Sequence, residues 1–197
     1  MNTKFLLAMG TVSALVFWIG SIIAGFIHGK YSLISDTVSE LGALGTASHL
    51  FMTVVMYLSG ITGVLFVIGA VRACREEGIN FIPVLLAVSI PFTTIWAAVF
   101  PMGTEQHAMT GPVVLIIYVG VIISLFVWRG GKLKTLRMWS AISLVLLMGI
   151  FLRFTSFMPY HEGLIQRLAH LGWSVWFIAL NLQLHRMLNF KSLATNH

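Results

Sequence analysis

Charge is what this chain has least of: only 9% of its 197 residues are Asp, Glu, Lys or Arg, where a soluble domain carries about a quarter. The deficit is deepest for acids, with six Asp and Glu against twelve Lys and Arg. A single cysteine, Cys74, excludes an intramolecular disulfide and a cysteine-based metal cluster. No His-x-x-x-His and no His-Glu-x-x-His occurs, so the strong zinc spacings are missing. Neither a nucleophile elbow nor a low-complexity segment is present.

What fills the chain instead is apolar: 58% hydrophobic residues and a mean hydropathy of +0.93. Uncharged runs longer than about 18 residues imply transmembrane helices. The expected fold is all-α, a six-transmembrane-helix bundle in one integral membrane domain spanning 1–197. Its helices are expected at about 5–27, 49–71, 80–100, 109–128, 138–158 and 164–188, each long enough to cross roughly 30 Å of hydrocarbon. Proline fits this plan. Pro83 and Pro112 fall in first turns, where a missing N–H costs little, and Pro101 and Pro159 close helices. Pro91 lies mid-helix and is expected to kink it or to free a carbonyl near Thr93 and Thr94. The first helix follows Lys4 as a signal peptide would, but its apolar run is too long and lacks a small-x-small cleavage site. It is expected to remain as a span.

Lys4, Arg72, Arg75, Arg129, Lys132, Lys134, Arg137, Arg186 and Lys191 fall on one side of this plan, and only Lys30, Arg153 and Arg167 associate with the other. By the positive-inside rule both termini are cytoplasmic, and the cell inner membrane is the expected location. The net charge of +6 is therefore a topology signal and implies no nucleic acid. On the outer side lie Asp36, Glu40, Glu105, Glu162 and five histidines, His28, His49, His107, His161 and His170.

The one long connection is the first outer loop. Ile34, Val38 and Leu41 are spaced i, i+4, i+7, an apolar helical stripe. Ser32 is a suitable N-cap and Gly42 a suitable terminator. The spacing predicts a short interfacial helix, against the alternative of a solvated loop in which Thr37 and Glu40 form a capping box.

Within the spans, Arg167, His170, Ser174 and Asn181 share one face of the last helix, and His49, Thr53, Met56, Gly60 and Gly63 one face of the second. Both faces should turn into the bundle. An arginine inside a bilayer costs at least about 2.5–3.5 kcal/mol unless it snorkels or is paired. Arg153 and Arg167 therefore call for a partner: Asp36, Glu40, Glu105, Glu162 or a bound anion. The candidate ligand-binding residues are Arg153, Arg167, His170, His161 and His49. The candidate catalytic residues are Asp36, Ser39, Glu40 and His107, as acid–base groups or a serine nucleophile. His49, His107, His161 and His170 are the candidate metal ligands. No cofactor is strongly implied, and a divalent metal is the one left open. A histidine that simply hydrogen-bonds a headgroup or carboxylate is the plainer reading, and histidines facing outward would also sense pH.

The run Tyr31-Ser32-Leu33-Ile34-Ser35-Asp36-Thr37-Val38-Ser39-Glu40-Leu41-Gly42 resembles the first-loop signature of the DUF998 family of bacterial and archaeal membrane proteins. Phe100-Pro101-Met102 with His107, and Gly163-Leu164-Ile165-Gln166-Arg167 with Trp173 and Trp176, are similar to that family's other outer segments. The resemblance implies a six-helix bundle distantly Frag1/DRAM/Sfk1-like, a group linked to membrane-lipid organisation. It adds weight to Ser35, Ser39, Glu40, His107 and Arg167 and supplies no reaction.

The resulting expectation is a membrane protein with an outward-facing polar pocket that recognises a lipid or lipid-linked headgroup. The alternatives are a membrane-embedded hydrolase or transferase, metal-dependent or not, and a small transporter. Membrane lipids are the expected partners. No soluble partner is implied, and the oligomeric state is open.

Overall fold

The computed structural model describes residues 1–155 and 160–194, with side chains to 190. Nine α-helices follow one another among the described residues, with no strand: α1 (Thr3–His28), α2 (Val38–Leu41), α3 (His49–Glu76), α4 (Ile82–Leu86), α5 (Ser89–Val99), α6 (Thr110–Val114), α7 (Ile116–Val127), α8 (Lys134–Met148) and α9 (Glu162–Ala194). Three 3-10 turns, Glu105–Met109, Gly131–Leu133 and Gly149–Phe154, join or extend them. Five stretches are long and apolar enough to cross a membrane: Thr3–His28, His49–Glu76, Ile82–Val99, Glu105–Val127 and Gly131–Phe154. Phe26, Leu50 and Val145 stand exposed on three of them, a surface that lipid solvates and water does not.

Small residues set the packing. α1 and α3 run antiparallel, and a Cβ added at Gly69 would come within 2.8 Å of the Leu6 carbonyl carbon and 2.9 Å of the Leu7 nitrogen. At Gly10 the obstacle is the Phe66 ring. Beyond these contacts the Ser13 hydroxyl donates to the Ser59 carbonyl at 2.8 Å and the Ser59 hydroxyl to the Ser13 carbonyl at 3.1 Å. With no hydrophobic gain available between helices in lipid, such close approach and reciprocal bonding hold the pair. On α3, Gly60 and Gly63 meet Ile95 and Pro91 of α5, so the predicted small-residue face does turn inward.

The third apolar stretch is not one continuous helix. Pro91 has no N–H to offer the Ala87 carbonyl and its ring crowds that oxygen. The chain accordingly breaks between α4 and α5, one turn before Pro91, where Ala87 and Val88 make three-residue bonds to Val84 and Leu85 at 3.1 Å each. The Thr93 hydroxyl donates to the Ser89 and Ile90 carbonyls, and the Thr94 hydroxyl to Ile90, at 2.8–2.9 Å. The fifth stretch also differs from the predicted 138–158. Its α-helix begins at Lys134, ends at Met148 and tightens to 3-10 over Gly149–Phe154. The Leu147 carbonyl accepts instead from the Tyr118 hydroxyl of α7 at 2.7 Å. The predicted stop at Pro159 lies outside the described residues.

The 29–48 connection, the 100–109 connection and the start of α9 share one end of the bundle, here called the acidic end. They are tied by the Leu44 N–H to the Met102 carbonyl and the Gly163 N–H to the Ser35 carbonyl. The opposite, basic end is held by Lys132 to Glu77 at 2.6 Å, the Thr3 hydroxyl to Glu76 at 2.9 Å, and the Trp128 indole to the Asn80 carbonyl at 2.9 Å.

Candidate functional site

The predicted interfacial helix exists only as α2, four residues long. Ser32 does not cap it. The Thr37–Glu40 capping box does, with the Glu40 carboxylate accepting from the Thr37 N–H at 3.1 Å and its hydroxyl at 2.8 Å. Val38 and Leu41 are buried while Ile34 is exposed, so the three do not form one stripe. Residues 32–36 form a separate turn organised by Asp36. Its carboxylate accepts from the Ser32 N–H at 2.8 Å and the Ser35 hydroxyl at 2.7 Å. The Ser32 N–H, then the Ser35 hydroxyl, hold this carboxyl below the usual carboxylate range, because both bonds favour the ionised form.

That turn presents four successive carbonyls to α9. Arg167 Nη1 donates to Leu33 O at 2.7 Å and Asp36 O at 2.9 Å. The Leu164 N–H donates to Ile34 O at 3.0 Å and the Gly163 N–H to Ser35 O at 3.2 Å. Two N–H groups left over at the helix start are thereby satisfied. An arginine at a helix N-terminus is normally unfavourable, and here the carbonyl oxygens offset it. Arg167 Nη2 also donates to the Tyr31 hydroxyl, which donates onward to the Thr37 carbonyl at 2.9 Å. Burial pushes the Tyr31 phenol above its ordinary range, against the opposing pull of Arg167. Gln166 completes the seam, accepting from the Val38 N–H at 2.6 Å and donating to the Ser39 hydroxyl at 3.4 Å. Gly163 has to be glycine, since a Cβ would collide with the Asp36 carbonyl.

The other predicted site residues have separate partners. Arg153 pairs with Glu162 at 3.3 Å, both side chains 46% exposed. His49 Nδ1 meets the Gly42 carbonyl at 2.8 Å, and His107 Nδ1 the Phe100 carbonyl at 2.9 Å. His170 lies against Phe17, with ring centroids 4.7 Å apart, and its Nδ1 accepts from the Trp173 indole at 3.1 Å. An indole N–H only donates, so the His170 proton is on Nε2. His161 stands immediately before α9, beside Glu162. His49, His107, His161 and His170 were the candidate metal ligands, and among the described residues no three His, Cys, Asp or Glu are grouped as a metal requires. Ser39, the candidate nucleophile, is bonded to Gln166, a glutamine, which is not a base.

The polar face of α9 is used along its length against α1. Ser174 accepts from the Trp18 indole at 2.9 Å, Asn181 donates to Thr11 at 2.8 Å, and His185 Nε2 meets the Lys4 carbonyl at 3.1 Å. Sequence reasoning missed Tyr31, Gln166 and Gly163 as members of the seam. The available signal was Arg167 itself, a cation near the start of a largely apolar helix with no acid one turn away on that helix.

These features define an all-α, multi-pass membrane protein whose first connection is stitched to its last helix. The chain belongs to the DUF998 family, described as "Protein of unknown function (DUF998)", which it matches over residues 11–183. That match takes in the whole seam. No curated protein matches, and no solved structure does.

Proposed function

We propose that this protein recognises a lipid or lipid-linked headgroup at its acidic end, with Arg153 as the residue that holds the anion. One observation carries this reading. Arg153 is half-exposed and shares its guanidinium only loosely with Glu162 at 3.3 Å, whereas Arg167 is engaged by the chain's own carbonyls. Exposed Phe154 lies beside it, with the guanidinium 5.9 Å from the ring centroid, and Tyr160 is exposed two residues before Glu162, as aromatic residues are at a membrane boundary. A guanidinium in that position suits a phosphate or carboxylate, and His161 adjoins its partner Glu162 in sequence. In this reading α9 is the sixth span, both termini are cytoplasmic, the membrane is the cell inner membrane, and Asp36, Glu40 and Arg167 shape the surface beside the headgroup. The hydrolase or transferase reading gains no observation of its own, since Asp36 and Glu40 accept hydrogen bonds within their own turn. The transporter reading gains none either.

Native mass spectrometry of protein released from mild detergent tests this. Arg153→Ala should lose one co-purified phospholipid while keeping its thermal midpoint. Arg167→Ala should keep the lipid but fall by about 2–6 °C, because it loses three charge-assisted bonds that are part-buried or exposed. Lipid retained undiminished in Arg153→Ala would exclude the proposed role.

A further inference from the structure

At the basic end a groove of about 630 Å³ runs between α1 and α9, lined by Ala8, Asn181, Leu182, His185, Arg186 and Phe190. It lies at the opposite end of the bundle from Arg153 and is independent of the reading above. Three features describe what it would hold.

The walls are open to hydrocarbon: Leu182 is 59% and Phe190 67% exposed, so the groove can be entered sideways from the bilayer. The mouth is cationic. Arg186 is exposed, and Lys4 stands one helical turn from Ala8 on the same face of α1. The acids of this end are engaged elsewhere, Glu76 with Thr3 and Glu77 with Lys132. The floor carries an unmet polar group. Asn181 is only 7% exposed, its Nδ2 donates to Thr11, and its buried Oδ1 has no partner. If the amide is turned over, Thr11 donates to the oxygen and the NH₂ is the half left unmatched. In either orientation a buried amide here wants one more partner.

We infer that this groove binds one phosphate-bearing phospholipid of the adjoining leaflet. The phosphate sits at the mouth on Arg186, with Lys4 beside it. The ester or hydroxyl groups of the glycerol reach Asn181, about one and a half turns deeper, and one acyl chain runs inward over Leu182, while Phe190, one turn beyond Arg186, flanks the mouth. Cation above, unmatched amide below and open apolar wall to the side are the three parts of such a lipid in order. A free anion would use only the first.

The test is lipid titration of the full chain, delipidated in mild detergent and read by native mass spectrometry. The probes are dioleoylphosphatidylglycerol, dioleoylglycerol and inorganic phosphate. The phospholipid should bind as two saturable adducts, one of them the acidic-end headgroup, and neither of the other two probes should displace the groove adduct at equal concentration. Arg186→Gln should weaken it about tenfold, the loss expected for one charge-assisted hydrogen bond. Leu182→Trp, which fills the groove with every charge kept, should weaken it comparably. Arg153→Gln should remove the acidic-end adduct and keep the groove adduct, and the two groove variants are read in that background. Equal binding of dioleoylglycerol, full displacement by inorganic phosphate, or undiminished binding in both groove variants overturns the inference.

Discussion

Arg167 shows how a charged side chain is accommodated in this membrane protein without a counter-charge. Its guanidinium reaches two backbone carbonyls and a phenol, and the N–H groups of Gly163 and Leu164 reach the two carbonyls between them. The turn that offers those carbonyls is itself held by the Asp36 carboxylate, so ionisation of Asp36 and docking of the turn are linked. Because the folded carboxyl is shifted down, its contribution is complete above the unfolded value of about 3.9. It disappears as pH falls through the lower folded value. Asp36→Asn should therefore start with a lower thermal midpoint at pH 6 and lose less of it on acidification to pH 3 than the parent does. Equal losses in the two proteins would break the link. Little of this was legible beforehand. Arg167 and Asp36 stood out as ionisable groups, and Asp36 was one of four acids, beside a bound anion, that opposite charge offered Arg167. Backbone carbonyls are invisible in a residue-type pattern.

At the scale of helices, glycine decides which faces meet. The Gly69 Cα lies against the backbone of Leu6 and Leu7, which cannot yield as a side chain can. Gly69→Ala should therefore lower stability by about 1–3 kcal/mol. Gly111→Ala, with open space around it, should be silent in the same thermal scan. If the two behave alike, close packing of α1 on α3 is not what holds the pair. Hydrophobic runs and prolines located the long helices, and Pro91 announced its own break, because a missing N–H is a property of one residue. The early 3-10 tightening after Met148 was not foreseeable. It goes with a Leu147 carbonyl taken up by Tyr118, which is 29 residues away.

For the whole molecule, the topology proposal has a direct check. Cys74 cannot serve, because it is fully buried and an impermeant thiol reagent would miss it from either side. The same burial makes it a silent background for new cysteines. Gln106 and Thr135 are exposed neutral residues at the acidic and basic ends. In intact cells Gln106→Cys should label and Thr135→Cys should label only after permeabilisation. The reverse pattern would invert the proposed orientation.

Composition and the order of apolar runs were enough to establish that this chain is a helical membrane protein, and its motifs were enough to place it in a family. Both depend on properties each residue carries with it: transfer cost, charge and the lack of an N–H. The roles of the polar residues were settled only on folding. Asp36, Glu40, His49, His107 and Arg167 looked alike as candidates for one chamber. The fold gave each a near neighbour, because a buried donor or acceptor takes the first partner within about 3 Å, and most of those partners are main-chain atoms. Tertiary packing likewise left Arg186 exposed and Asn181 half-matched along one groove, where the sequence had shown only a basic residue near the end of a span and an amide within it.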